Sequence, residues 1–182
     1  MPTILIPARL GSTRFPEKVL AARTGKPLIQ HVYERAKLAT TADRIVIATD
    51  SIRVQQAARA FGAEAILTSP DHPNGTSRLA EAAKILNLPA DHIVVNAQGD
   101  EPELEPALID AGVAALASST TIPVATAAVP FAPSEDPSNP NLVKVVTRRD
   151  GCALYFSRAL IPYPRDAAST ADHAQPLKHI GL

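Results

Sequence analysis

Ile4-Leu5-Ile6-Pro7-Ala8-Arg9-Leu10-Gly11-Ser12-Thr13-Arg14-Phe15-Pro16-Glu17-Lys18 is the stretch around which the chain is arranged. It begins as a short apolar run, which reads as a buried first strand. The run breaks at Pro7 into a loop holding Gly11, Ser12 and Thr13, with Arg9, Arg14 and Lys18 spaced along it. A buried strand delivers such a loop to the carboxyl edge of a sheet, where open α/β folds bind ligands. Small residues, free backbone N–H groups and three cations together suit a polyphosphate. The plainer alternative is a strand followed by a solvated basic turn, since short Gly/Ser loops are common.

Downstream, strand and helix patterns alternate. Pro27 opens a helix with Leu28, Val32 and Ala36 on one face, and Ile29 and Tyr33 beside them. Arg44 to Ala48 is a second buried strand ending at Thr49-Asp50. Ser51 caps a helix carrying Val54, Ala57, Ala58 and Phe61, which Gly62 ends. Glu64 to Leu67 is a third strand, and Ser69 to Gly75 a loop by its turn residues. Thr76 starts a helix with Leu79, Ala82, Ala83 and Leu86 inward. His92 to Asn96 is a fourth strand, running into Gln98-Gly99-Asp100-Glu101-Pro102. Pro106 then opens a helix with Ile109, Gly112, Val113 and Leu116 facing in. This alternation predicts an α/β fold with a doubly wound, mostly parallel sheet and right-handed crossovers. Val124 to Val129 reads as a further strand. Leu142–Thr147 and Cys152–Phe156 read as two strands joined at Arg149-Asp150-Gly151, a hairpin signal. The intervening stretch is rich in Pro, Ser and Asn, an excursion from the core.

Composition bounds the partners. With 182 residues the chain is read as one domain, residues 1–182, with residues 130–172 as an excursion within it. Lys plus Arg equal Asp plus Glu at 18 each, so the molecule as a whole is no electrostatic partner for nucleic acid or an anionic membrane. Locally, Arg9, Arg14, Lys18, Arg23 and Lys26 face only Glu17 within residues 1–30, which favours a small anionic ligand. Cys152 is the only cysteine, so no intrachain disulfide forms and a reducing cytoplasm fits. No signal peptide is expected, and no apolar run is long enough for membrane insertion.

Three stretches bear on chemistry. Asp100 follows the fourth strand at the same sheet edge as the opening loop, and a carboxylate there suits Mg2+, which prefers one or two carboxylates plus phosphate oxygens and water. The alternative is that Asp100 stabilises its turn. Asn74-Gly75-Thr76-Ser77-Arg78 ends the third crossover, where Gly75 permits close backbone approach and the helix N-terminus attracts an anion or a base carbonyl. An ordinary loop-to-helix cap is the competing account. Arg158 in Tyr155-Phe156-Ser157-Arg158 suits bidentate capture of a carboxylate, unless it is a surface charge. Asp50 ends the second strand with no partner evident along the chain, and a lone His179 is by default structural.

Together these stretches resemble the 3-deoxy-manno-octulosonate cytidylyltransferases, the CMP-Kdo synthetases. The matching text includes Ile6-Pro7-Ala8-Arg9 with Ser12-Thr13-Arg14 and Pro16-x-Lys18, then Gly25-Lys26-Pro27, Ala48-Thr49-Asp50 and Asn74-Gly75-Thr76 with Arg78. It continues in Val95-Asn96-x-Gln98-Gly99-Asp100-Glu101-Pro102, Asn139-Pro140-Asn141-x-Val143-Lys144-Val145-Val146 and Ala153-Leu154-Tyr155-Phe156-Ser157-Arg158-x-x-Ile161-Pro162. The resemblance implies a Rossmann-like, glycosyltransferase-A-like nucleotidyltransferase. It would transfer CMP from CTP to 3-deoxy-D-manno-octulosonate (Kdo), giving CMP-Kdo and pyrophosphate for lipopolysaccharide biosynthesis. It implies that Ala8, Arg9, Ser12, Arg14 and Lys18 bind the triphosphate, and that Asn74, Gly75 and Arg78 lie around cytosine and ribose. Asp100 would hold Mg2+, with Arg9, Lys18 and Asp100 the catalytic set, and Gln98, Arg158 and His179 would contact the sugar acid. It further implies a cytoplasmic homodimer whose contacts involve the excursion. An enzyme for another acidic sugar, of the CMP-sialate type, and a non-catalytic nucleotide-binding fragment stay open as alternatives. In the family the text around Lys178-His179-Ile180-Gly181-Leu182 continues into a strand, more helices and a second metal-binding aspartate. A strand starting near Ile180 and a shortened catalytic domain are therefore the expectation here.

Overall fold

A computed structural model describes residues 1–11, 15–163 and 176–181. The described chain forms two compact units, Met1–Ala125 and Thr126–Gly181.

The first unit is built on four parallel strands, β1 (Thr3–Ala8), β2 (Arg44–Thr49), β3 (Glu64–Leu67) and β4 (Val94–Asn96), in the order β3-β2-β1-β4. Four helices connect and follow them: α1 (Leu28–Ala36), α2 (Ile52–Ala60), α3 (Gly75–Ile85) and α4 (Pro106–Ala117). Successive strand residues point to opposite faces. Ile4, Ile6 and Ala8 of β1 accordingly pack on one face with Ile29 and Val32 of α1, Val54 and Ala58 of α2, and Ile109 and Val113 of α4. Leu5, Val46 and Ala48 point the other way, onto Leu79 and Ala82 of α3. Helices thus cover both faces, as the alternating pattern predicts. Each valine, leucine or isoleucine buried in this way contributes about 1.5–3 kcal/mol.

Where the elements differ from the sequence expectation, the cause is local. β1 does not break at Pro7 but continues to Ala8, paired with Thr49 of β2. Thr3 N donates to Ile93 O (3.1 Å) and Leu5 O accepts from Ala97 N (3.1 Å), so positions 3, 5 and 7 face β4. The β4 ladder ends opposite Leu5, and the N–H that proline lacks is therefore not missed. Ser51 occupies the position before α2, but its side chain makes no cap; its own N–H donates to Thr49 Oγ1 (3.2 Å). α3 starts at Gly75 rather than Thr76, capped by Asn74 Oδ1, which accepts from Ser77 N (2.9 Å). Gly62 follows α2 at φ +82°, where an L side chain would be strained.

The loop after α1 is fastened to α4 by Asp110. Its carboxylate accepts from the backbone N–H and the hydroxyl of both Thr40 and Thr41, at 2.7–3.1 Å. These donors, Thr41 Oγ1 foremost, lower the Asp110 carboxyl to about 2. Because its folded value is depressed, its contribution is present above the unfolded value of 3.8 and is lost as pH falls towards 2. Asp110→Ala is expected to cost about 1–2 kcal/mol at pH 7. The gap to the parent should shrink as pH drops from 4 towards 2, measured by denaturant unfolding across that range.

The second unit holds an antiparallel sheet of β5 (Ala127–Pro130), β6 (Lys144–Thr147), β7 (Ala153–Ser157) and β8 (Leu177–Ile180), in the order β5-β8-β6-β7. The strand expected near Ile180 lies earlier, at Leu177–Ile180, because hydrogen bonding to both β5 and β6 fixes its register. β6 and β7 form the expected hairpin, closed by Arg148 N to Cys152 O at 2.8 Å. β7 lies at the sheet edge and exposes Leu154, Tyr155 and Phe156. Beneath it Lys144 is 0% exposed. A buried ammonium is tolerated only when its donors are satisfied. Lys144 Nζ donates to Asn139 O (3.0 Å), Leu142 O (2.8 Å) and Arg158 O (2.5 Å).

Candidate functional site

The strand order places a site in the first unit. From β1 the chain winds outward through β2 to β3, then crosses back to lay β4 on the other side of β1. The loops leaving β1 and β4 therefore diverge at their carboxyl ends, the switch point at which open sheets bind ligands. A cavity of ≈ 510 Å³ lies there. β1 and its loop contribute Pro7, Arg9, Phe15 and Lys18, the β3–α3 loop His72 to Asn74, and the β4 loop Gln98 to Asp100; Gly75 and Arg78 of α3 join them.

Two glycines set its floor. A Cβ on Gly99 would come within 2.3 Å of Pro7 O, and one on Gly75 within 3.3 Å of Pro7 Cγ. Pro7 is thus gripped between the β4 loop and the start of α3, and only glycine lets the β4 loop approach so closely. Across the cavity Lys18 Nζ donates to Asp100 Oδ2 at 2.9 Å, with the two side chains 41% and 57% exposed. Lys18 itself begins a single 3-10 turn, Lys18–Leu20. The residue before it, Glu17, sits at φ 56° and accepts both arms of the Arg53 guanidinium, which ties the loop to α2.

Asp50, without an evident partner in sequence, acquires two. Oδ2 accepts from Arg78 Nη2 (2.8 Å) and Oδ1 from Leu10 N (3.4 Å). Arg78 is 3% exposed, and its other arm donates to Thr68 Oγ1 (2.5 Å) and Ser69 O (3.2 Å). Asp50 and Arg78 therefore lock the β1 loop, the end of β3 and α3 to one another behind the cavity wall. Glu81, one turn along α3, accepts from Ser69 N (2.8 Å) and pairs with His72 Nε2 (2.5 Å). Its carboxyl is held below the ordinary range, first by the His72 bond and then by the Ser69 amide.

Of the residues singled out in the sequence, Arg9, Lys18, Asn74, Gly75, Arg78, Gln98 and Asp100 meet at this cavity, and Ala8 is buried at the end of β1 beside it. Ser12 and Arg14 lie outside the described residues. Arg158 and His179 belong to the second unit. There Arg158 Nη1 donates to Pro140 O (3.0 Å), and His179 bonds Thr126 Oγ1 through Nε2 (2.8 Å) with its ring edge-on to Phe156. Burial pushes the His179 imidazole below its ordinary value. Sequence reasoning missed the Asp50–Arg78 lock, the His72–Glu81 pair and the buried Lys144. Only Asp50 left a trace, as a carboxylate at a strand end with nothing nearby to pair with.

Among the described residues no three His, Cys, Asp or Glu side chains gather to hold a metal by themselves. Asp100 is a single, half-exposed carboxylate facing a cavity lined by cations. Its donor chemistry fits a hard cation that arrives with phosphate oxygens and water.

A cytidylyltransferase family model matches residues 3–182. The chain is 53% identical to the 3-deoxy-manno-octulosonate cytidylyltransferase of Vibrio cholerae serotype O1 (strain M66-2), covering 99% of this chain and 72% of that one. Identity to the protein of that name from Syntrophobacter fumaroxidans is 51%, over 98% of this chain and 70% of that one. Among solved structures, a CMP:2-keto-3-deoxy-manno-octonic acid synthetase complexed with CTP superposes with a TM-score of 0.89 at 43% identity, covering 100% of this chain and 72% of that one.

Proposed function

The chain belongs to the cytidylyltransferase family, among the 3-deoxy-manno-octulosonate cytidylyltransferases, and on that footing we propose that it transfers CMP from CTP to Kdo with release of pyrophosphate. The observation that carries this is Lys18 and Asp100, brought 2.9 Å apart at the switch-point cavity from loops 82 residues apart in sequence. A cation and a carboxylate in that position serve a metal-bound triphosphate.

In the proposed mechanism the anomeric hydroxyl of Kdo attacks the α-phosphorus of CTP in line and pyrophosphate leaves. Little covalent chemistry falls to the protein, so positioning and charge neutralisation carry the rate. Arg9 and Lys18 hold the triphosphate at the end of β1, beside Ala8, together with Ser12 and Arg14. Asn74, Gly75 and the wall braced by Arg78 receive the nucleoside. Nucleotidyltransferases of this kind generally use a divalent metal. We take it to be Mg2+, held by Asp100 with phosphate oxygens and water, where it offsets the charge on the triphosphate. With Asp100 holding the metal, Lys18 would be free to offset the charge of the triphosphate. Gln98, at the cavity of the first unit, is a proposed contact of the sugar acid. A cytoplasmic homodimer is proposed as the working form, supported by the apolar residues that β7 exposes. No described helix is long and apolar enough to cross a membrane.

Pyrophosphate release tests the assignment. It should require CTP, Kdo and Mg2+ together. Release with another acidic sugar, and none with Kdo, would assign the chain a different acceptor. Lys18→Ala should lower kcat about a hundredfold, because a preorganised cation interacts more strongly with charge developing in the transition state. Its ion pair with Asp100 is exposed, so the melting temperature should barely move. A large fall in melting temperature with unchanged kcat would make Lys18 structural instead.

A further inference from the structure

The cavity holds one titratable side chain to which the mechanism gives no role. His72 lines it from the β3–α3 loop, two residues before Asn74, with its side chain 17% exposed. Its Nε2 lies 2.5 Å from Glu81 Oε2. The same oxygen also accepts from Ser69 N, so Glu81 is anchored in place. An ionised carboxylate can only accept, and Nε2 must therefore carry a hydrogen. In the neutral imidazole the remaining nitrogen, Nδ1, is then an acceptor. Among the described residues Nδ1 has no hydrogen-bond partner.

An oriented acceptor on a cavity wall selects for a donor. The pyrimidine bases differ in just this respect, since cytosine presents an amino donor at position 4 where a uracil-type base presents a carbonyl acceptor. We propose that His72 is a specificity-determining residue: its Nδ1 accepts a hydrogen bond from the cytosine amino group, and Glu81 is the positioning residue that fixes the tautomer. This rests on the cavity being the CTP site. A uracil carbonyl would set one lone pair against another, or oblige the ring to take up a proton beforehand. Sites built to hydrogen-bond a substrate N–H discriminate strongly against analogues that lack it. A mere staple between the 69–72 loop and α3 would use Nε2 alone and would be indifferent to the base.

The test is the ratio of CTP to UTP affinity, measured by calorimetric titration with Mg2+ for the parent protein, His72→Phe, His72→Asn and Glu81→Leu. His72→Phe should weaken CTP about tenfold or more and UTP much less. Glu81→Leu removes the acceptor that holds the hydrogen on Nε2, so Nδ1 is no longer fixed as an acceptor. It should therefore strengthen UTP relative to CTP with the histidine still present, whereas loss of a mere staple would weaken both nucleotides alike. His72→Asn is the smaller change should the phenylalanine variant fail to fold, and it should also reduce the ratio. A parent protein that binds CTP no better than UTP overturns this inference together with the reading of the cavity. A parent that prefers CTP, with the ratio unchanged within twofold in the folded variants, overturns the role of His72 alone.

Discussion

Gly99→Ala should reduce pyrophosphate release about a hundredfold or more while leaving a folded protein. The added Cβ would lie 2.3 Å from Pro7 O, well inside contact distance and against backbone rather than a flexible side chain. Relief requires the β4 loop to retreat from β1 by about 1 Å, and a misplacement of that size costs about a hundredfold in rate. The loop carries Gln98 and Asp100, and Asp100 faces Lys18. Overpacking of this kind costs about 1–3 kcal/mol in stability, less than a domain of this size usually holds in reserve. Titrations of CTP with and without Mg2+ should show the metal-dependent part of binding suffering most. An alanine variant with parental kcat would mean that the loop relaxes without moving Asp100.

Arg78→Leu should produce the largest loss of stability of any single exchange at the site. Leucine fills much of the same volume, but it strands the Asp50 carboxylate, the Thr68 hydroxyl and the Ser69 carbonyl together. Removing one partner of a buried ion pair costs about 3–5 kcal/mol. In a chain of 182 residues that corresponds to a melting temperature lower by about 10 °C. The double variant Arg78→Leu with Asp50→Leu should recover part of this loss, because the uncompensated charge is then gone. Equal destabilisation by the single and the double variant would show that Asp50 is solvated well enough to stand alone.

Much of this protein is legible along the chain. The apolar run from Ile4 to Ile6, the helical spacing of Leu28, Val32 and Ala36, and the turn chemistry around Gly62 and Gly75 depend only on near neighbours, and each marks an element where the structure has one. The same locality explains the small errors. Pro7 reads as a strand end because its missing donor is visible, whereas the absence of a β4 partner at that position is not. Ser51 has the right residue type for a cap, yet its backbone N–H is taken up by Thr49.

By itself the sequence determined the alternation of strands and helices, the family, and the loops that would carry cations and a carboxylate, because periodicity, turn residues and motif spacing are properties of contiguous chain. Only the tertiary structure decided which groups meet. The strand order β3-β2-β1-β4 sets Lys18 against Asp100 and draws Gly99 onto Pro7. It also gives Asp50 its guanidinium from 28 residues away. Hydrogen bonding and steric contact act over a few ångströms in space, and only the path of the folded chain converts separations along the sequence into distances that short.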